Sequence, residues 1–304
     1  MFTAKLWVRP KMDNKKLSVI YILSEKSSGS SFLHRSLVNA LGIDNYPKTN
    51  HFESETLYWT KAASVLCMPQ LKMLASAVPY SQEQALREIK AFLMENLGEL
   101  PEHKDDRELI FKGWFLLIEK FGPVFIEKSP HHLLQSSVLE LMRAFEKEYC
   151  SEVQCHYIGI VRNPKDVFLS QFRRWNVSLP LLENQWLVNY MNWVAFTKQV
   201  GSSHVLIRYE DLVAKQMEIV DIICRQAGLE STLNVKEKAR MGKAAKQSSF
   251  FGYNFSSSVI SLSQMMGYSA EEVQGKPNFK WQCYSAYIRY LYSPAKKFYV
   301  LLKG

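Results

Sequence analysis

The sequence predicts an α/β fold: a single domain over residues 1–304 in which a central, mostly parallel sheet is flanked by helices. Three observations carry this. Leu17 to Leu23 is an almost wholly apolar run rich in Val and Ile, which suits a strand covered on both faces. Short runs at 124–126, 153–161 and 204–209 repeat the pattern, and stretches of helical spacing lie between them, so strands alternate with helices. At 304 residues and 47% apolar composition, the chain can bury one substantial core.

The first unit is the most informative. After Leu23, the stretch Ser24 to Ser31 holds five Ser, one Gly and a Lys, and Phe32, Leu33, Leu37 and Leu41 follow at helical spacing, with Gly42 placed to end the helix. A strand, a small polar loop and a helix together aim backbone N–H groups and a helix N-terminus at an anion. Lys26 to Phe32 is therefore a candidate phosphate site, although serines that merely cap a helix would read the same way. A nucleoside-triphosphate loop, G-x-x-x-x-G-K-[ST], is not present: Ser24 stands at the first Gly position and Ser30 at the Lys.

Asp44 to Glu55 is polar and reads as a loop holding His51, Glu53 and Glu55, either a solvated connection or a source of catalytic groups. Leu57 to Pro79 mixes Tyr58, Trp59, Met68 and Met73 in helical or irregular packing, as core or as the wall of an acceptor site. A helix follows from Ser81, with Gln84 as its capping-box partner and Gly98 as its end. The next runs from Asp105 or Asp106 to Phe121, where Gly122 stops it.

The strand at 124–126 runs into Glu127-Lys128-Ser129-Pro130-His131-His132, so Lys128 sits at a strand exit on the same sheet edge as the first loop; a helix is expected from about His132 to Tyr149. The third strand ends at Arg162-Asn163-Pro164, where Asn163 fits a helix N-cap and Pro164 the first helical position. Arg162 and Ser170, two turns along that helix, can meet one phosphate lying beside it. An aromatic helix spans 180–200, the fourth strand runs from His204 to Tyr209, and Glu210-Asp211 begins a helix ending near Gly228. Residues 235–255 are basic, Gly-punctuated and Ser-rich, either a loop that covers an anion or a solvated helix and linker. Ser269 with Glu272 forms a second capping-box pattern, and 281–302 reads as a helical aromatic cover.

Lys and Arg outnumber Asp and Glu by nine, which favours an anionic partner without choosing among nucleotide, nucleic acid, glycan and membrane surface. Five cysteines without a C-x-x-C pair signal neither a disulfide framework nor a zinc site. The N-terminal residues lack the apolar run of a signal peptide, and no stretch approaches the roughly 20 apolar residues of a membrane span, so a cytoplasmic protein is expected.

With these motifs in the order strand-S-S-G-S-S-F (Ser27 to Phe32), EKSP (Glu127 to Pro130), RNPKD with a Ser eight residues on (Arg162 to Asp166 and Ser170) and VLIRYEDL (Val205 to Leu212), the sequence resembles the sulfotransferases that use 3′-phosphoadenosine 5′-phosphosulfate (PAPS). EKSP is nearest to the carbohydrate-type branch. The resemblance covers about 17–212, and it implies the P-loop-like fold of that family, with 235–304 as a cofactor-covering loop and helical C-terminal region. It implies that Lys26, Ser27, Ser28, Gly29, Ser30, Ser31 and Phe32 surround the 5′-phosphosulfate, that Arg162 and Ser170 hold the 3′-phosphate, that Tyr209 lies by the adenine, and that Arg240, Gly242 and Lys243 belong to the covering loop. Where the family has Lys or Arg, this chain has Ser27, so Lys26 or Lys128 has to carry the missing charge.

Sulfuryl transfer needs a cation and N–H donors in place for the leaving phosphate, for which Lys128 and the Ser28 to Ser31 amides are the candidates. The acceptor, a hydroxyl or amine of a small molecule, natural product or carbohydrate, must lose a proton to a His or carboxylate. His51 and Glu53 are the first candidates and His131 and His132 the second. No metal is required. Two rivals remain at this stage: a nucleotide-dependent phosphotransferase, which lacks its Walker lysine here, and a non-catalytic nucleotide- or nucleic-acid-binding module.

Overall fold

The computed structural model describes residues 16–201, 203–230 and 250–303. Its centre is a four-stranded sheet formed by β1 (Leu17–Ser24), β2 (Val124–Lys128), β3 (Val153–Val161) and β4 (Ser203–Arg208). The order across the sheet is β2-β1-β3-β4, and every neighbouring pair is parallel. β1 lies between β2 and β3 with both of its faces covered, which is why its apolar run has no polar alternation. Val19, Tyr21 and Leu23 join the larger core on one face, while Ile20 and Ile22 join a second core on the other. In the larger core Tyr21 stacks against Tyr157 at 5.3 Å and Trp114 at 6.3 Å, and its hydroxyl accepts a hydrogen bond from Trp114 Nε1 at 2.8 Å.

The helices in chain order are α1 (Ser30–Leu41), α2 (Tyr58–Val65), α3 (Gln82–Leu97), α4 (Asp106–Phe121), α5 (Ser136–Glu148), α6 (Pro164–Trp175), α7 (Leu179–Thr197), α8 (Tyr209–Ala214) and α9 (Gln216–Gln226). Later in the chain come α10 (Ser257–Met265), α11 (Ala270–Val273), α12 (Phe279–Tyr287) and α13 (Ser293–Lys303), with a π-helical turn at Ile288–Tyr292 joining the last two. Most boundaries follow local chemistry. Asp105 caps α4, Asn163 caps α6 with Pro164 in its first turn, and Ser269 and Glu272 form a reciprocal capping box on α11.

Four expectations shift. Ser81 caps α3 by accepting from the Gln84 amide, but the Gln84 side chain donates to Glu88 instead of returning to the cap. The helix expected from His132 begins at Ser136, because Glu127 and Ser129 hold 129–135 in a turn that buries His132. The fourth strand ends at Arg208, and Tyr209 opens α8. The helix expected from Glu210 to near Gly228 is two helices, broken at Lys215 where the backbone is non-helical (φ −135°, ψ 47°).

His156 on β3 is 3% exposed, and neither ring nitrogen has a hydrogen-bond partner. Burial lowers its pKa from the ordinary 6.5 to about 4, so the folded state holds it neutral. Protonation therefore favours unfolding, and this contribution to stability is complete above pH 6.5 and lost as pH falls toward 4. Urea unfolding at a series of pH values should show wild-type stability declining across that window by up to about 3 kcal/mol more than in His156→Leu; parallel curves would show that His156 does not titrate with folding.

Candidate active site

The loop after β1 is shaped from beneath by a buried carboxylate. Glu25 is 1% exposed, and its oxygens accept from Gln171 Nε2 on α6 (2.7 Å), from Gln185 Nε2 on α7 (2.8 Å) and from the Asn189 side-chain amide on α7. Burial raises its pKa, and these donors act against that rise. Gln171 also donates to the Lys26 carbonyl at 3.1 Å, tying two helices to the loop. Past that anchor the backbone enters the left-handed region at Ser27 (φ 66°) and Gly29 (φ 95°). Gly29 has a second reason to lack a side chain, since a Cβ there would lie 2.2 Å from Tyr209 Cδ2.

Gly29 is the N-cap of α1 and no side chain caps that end, so the Ser30 and Ser31 amides have no acceptor within the helix. Arg162 leaves the neighbouring strand and donates through Nη1 to the Ser27 carbonyl at 3.1 Å. Its guanidinium lies 4.6 Å from the centre of the Tyr209 ring, and Asp166 is 3.8 Å away. Tyr209 thus supports both Gly29 and Arg162. The buried atoms Arg162 Nε and Ser27 Oγ have no partner.

A cleft of about 420 Å³ opens above these groups. It is lined by Lys26, Ser27, Gly29, Ser30, Ser31, Glu53, His131, Arg162 and Ser170, all singled out in the sequence, together with Glu55, Arg174 and Trp175. Parallel strand exits on one sheet edge place the first loop, the segment after Lys128 and Arg162 around one space, as expected at the carboxyl ends of such strands.

Lys128 is fully buried beneath this cleft. Its ammonium donates to Ser31 Oγ at 3.1 Å and to Glu55 Oε1 at 3.3 Å, with Glu53 Oε2 at 4.0 Å. Lys26 turns the other way: it donates to the Leu74 and Ala75 carbonyls and lies 5.5 Å from the Trp175 ring. Burial lowers the Lys26 pKa, with Glu25 and Glu55 opposing the shift. His131 Nδ1 is 3.8 Å from Glu55, and burial, reinforced by Lys26, holds the His131 pKa well below the usual value. Glu55 itself is raised by burial, with Lys128 pulling in the opposite direction.

The chain of the protein matches the family model described as "Sulfotransferase family" over residues 19–232, which spans all four strands. The chain belongs to the sulfotransferase family. Among solved structures it is similar to the sulfotransferase domain of the Synechococcus PCC 7002 olefin synthase, with a TM-score of 0.55 and 19% identity over 87% of this chain and 99% of that one. It is also similar to a sulfotransferase from Alicyclobacillus acidocaldarius (TM-score 0.48, 14% identity, 86% and 98% covered) and to the sulfotransferase domain of the curacin biosynthetic pathway (TM-score 0.45, 18% identity, 87% and 86% covered). The olefin synthase domain is the likeness that supports the fold, a parallel sheet flanked by helices. No curated protein matches the chain.

Not every residue singled out in the sequence reaches the cleft. Ser28 is fully buried with its hydroxyl 3.4 Å from the Tyr190 hydroxyl, and Phe32 packs on the second core. His51 sits with Nε2 3.2 Å from Lys61 Nζ, and Lys61 in turn pairs with Glu88 at 3.0 Å. Burial and then Lys61 lower the His51 pKa. His132 is buried, with Nδ1 3.3 Å from Glu127 Oε2. Burial alone would raise the Glu127 pKa, but His132, Ser129 and Thr56 outweigh it and hold that carboxyl below its usual range. Arg240, Gly242 and Lys243 lie outside the described residues.

Glu55, Arg174, Trp175 and the Glu25 anchor are the site residues that the motifs did not select. Gln185 and Asn189, four residues apart on the side of the helix that also buries Trp186, Tyr190, Trp193 and Phe196, were the visible trace of that anchor, since amides on a buried face need a partner. Gly29→Ala should displace Tyr209 and with it Arg162, lowering stability by about 1–3 kcal/mol; a variant with wild-type melting temperature would show that the close approach to Tyr209 is not required.

Proposed function

We propose that this sulfotransferase moves a sulfuryl group from PAPS to a hydroxyl or amine of a small-molecule, natural-product or carbohydrate acceptor. The observation that carries this reading is the meeting of two anion sites in one cleft: the uncapped N-terminus of α1 with its loop, and Arg162 with Ser170. A donor with phosphate groups on both sides of its ribose calls for two such sites, whereas AMP needs one. The residues present fit that donor, since Arg162 Nε and Ser27 Oγ are buried polar atoms that lack partners, and both residues line the cleft with Gly29.

When bound, the donor supplies an activated sulfuryl group and a phosphate leaving group. The chain's part is electrostatic preorganisation. The Gly29, Ser30 and Ser31 amides present N–H groups, and Arg162 and Ser170 fix the 3′-phosphate at a distance from them. Lys128 acts from below, through the Ser31 hydroxyl to which it donates, and puts a cation in a dry environment behind the amides, where its field is weakly screened. This supplies charge that Ser27 cannot. Tyr209, packed on Gly29 and under Arg162, holds the two anion sites at a fixed spacing and serves as a platform for the nucleoside.

His131 is the proton acceptor in this reading. It lines the cleft, it is kept neutral by burial, and Nδ1 lacks a hydrogen-bond partner while facing Glu55. Glu53 is the alternative in the same cleft, more exposed and 4.0 Å from Lys128. His51, engaged by Lys61, is less well placed to take a proton there.

Calorimetric titration tests the donor. Adenosine 3′,5′-bisphosphate should bind more tightly than AMP or ATP without Mg²⁺, and Arg162→Ala should remove about 2 kcal/mol or more from that advantage while changing AMP affinity little. Equal weakening of both ligands would take Arg162 out of the 3′-phosphate site, and a preference for ATP with Mg²⁺ would favour the phosphotransferase. For the proton acceptor, His131→Ala should lower kcat about 10²-fold or more with a smaller change in KM. A larger loss in Glu53→Gln than in His131→Ala would transfer the role to Glu53.

A further inference from the structure

Among the described residues, the last two helices and the turn between them bury two apolar residues, one in α12 and one in the π-helical turn, and expose apolar residues along α13. Trp281 is buried against Phe251 (4.7 Å) and Phe172 (5.7 Å), and Ile288 is 1% exposed. By contrast, Tyr290 is 75% exposed, Phe298 65%, Leu301 79% and Leu302 71%. The exposed apolar residues recur three and four apart, as Tyr287, Tyr290 and Leu291 before α13 and as Phe298, Leu301 and Leu302 within it. That is the spacing of an amphipathic helix whose apolar side faces solvent. A continuous apolar surface left in this way marks an interaction site more often than chance exposure does.

Charge selects the occupant. Residues 273–304 contain Lys276, Lys280, Arg289, Lys296, Lys297 and Lys303, and no Asp or Glu. A helix with aromatic and Leu residues on one side, basic residues around them and no acidic group complements an anionic lipid surface, where the apolar residues enter the boundary between headgroups and chains. Among the described residues no helix is long and apolar enough to cross a membrane. We propose that residues 279–303 form an interfacial helix that docks the chain on an anionic lipid surface.

The position of this helix gives the docking a consequence. A groove of about 540 Å³ separates the end of α6 from α13 and is lined by Arg174 and Trp175 on one side and Lys296 and Leu301 on the other. Arg174 and Trp175 also line the candidate active-site cleft. The docked helix therefore borders the cleft mouth, and the lipid surface lies beside the route by which an acceptor enters. The docking itself does not depend on which donor or acceptor the cleft takes.

The test is co-sedimentation of the full chain with phosphatidylcholine vesicles prepared with and without phosphatidylserine, at low and high salt. The chain is expected to pellet with phosphatidylserine vesicles at low salt, to be released by high salt, and to stay in solution with phosphatidylcholine alone. The triple variant Phe298→Ser, Leu301→Ser, Leu302→Ser and the double variant Lys280→Glu, Lys297→Glu change exposed positions and should keep the wild-type melting temperature. Each should bind at least about tenfold more weakly, since one cation near the surface contributes about fivefold. Failure to pellet with phosphatidylserine vesicles, or equal pelleting with both vesicles, overturns the proposal. So does a concentration-dependent dimer, seen by light scattering without lipid, that the triple variant converts to monomer, because the apolar side would then belong to a second copy of the chain.

Discussion

The Glu25 carboxylate is the constraint on which the site depends. A carboxylate removed from water is costly unless its lone pairs are satisfied, and here three amide side chains from α6 and α7 satisfy them. Those helices arise more than a hundred residues later in the chain, yet they end on the residue that follows β1. The loop cannot relax without leaving either a buried charge or three buried amides unpaired. Its left-handed turns at Ser27 and Gly29 are held by that anchor below and by the Tyr209 ring beside them.

This anchoring arranges charge in layers. Lys26 and Lys128 are both nearly or fully buried and already engaged, Lys26 by two carbonyls and Lys128 by Ser31 and Glu55. Arg162, which lines the cleft, keeps one buried nitrogen without a partner. Lys128 thus adds cationic field from behind the loop, while the cleft lining itself carries Lys26, the guanidinium groups of Arg162 and Arg174, and serine hydroxyls. Low local dielectric strengthens such a field, and rigid donors need no reorganisation when charge develops. The carboxylates Glu53 and Glu55 and the neutral His131 line the same cleft, and Glu55 lies 3.3 Å from the Lys128 ammonium that donates to Ser31.

Much of the site was legible because it is local. Asn163 and Pro164 specify the start of α6 within two residues, and that fixes where Arg162 must emerge and how far along Ser170 lies. Serines and a glycine after an unbroken apolar strand likewise announce a loop with free amides. The orientation of other motif residues was not written in their identity. Ser28 carries the same side chain as its neighbours but turns to Tyr190, and Phe32 follows the helical period into the second core. His51, His131 and His132 were equivalent as letters, and they differ in what surrounds them: Lys61, the open cleft, and the Glu127 carboxylate.

The sequence by itself determined the parallel α/β architecture, the strand exits and the family, because apolar periodicity, capping residues and short motifs act over a few residues and leave their mark there. Tertiary structure decided which charges are spent inside and which face the cleft. It joined Glu25 to Gln171, Gln185 and Asn189, put Glu55 over Lys128, and placed Arg174 and Trp175 between the cleft and the exposed C-terminal helix. These pairings join residues far apart in the chain, and their energies depend on burial and distance, quantities that come into being only when the sheet and its helices pack.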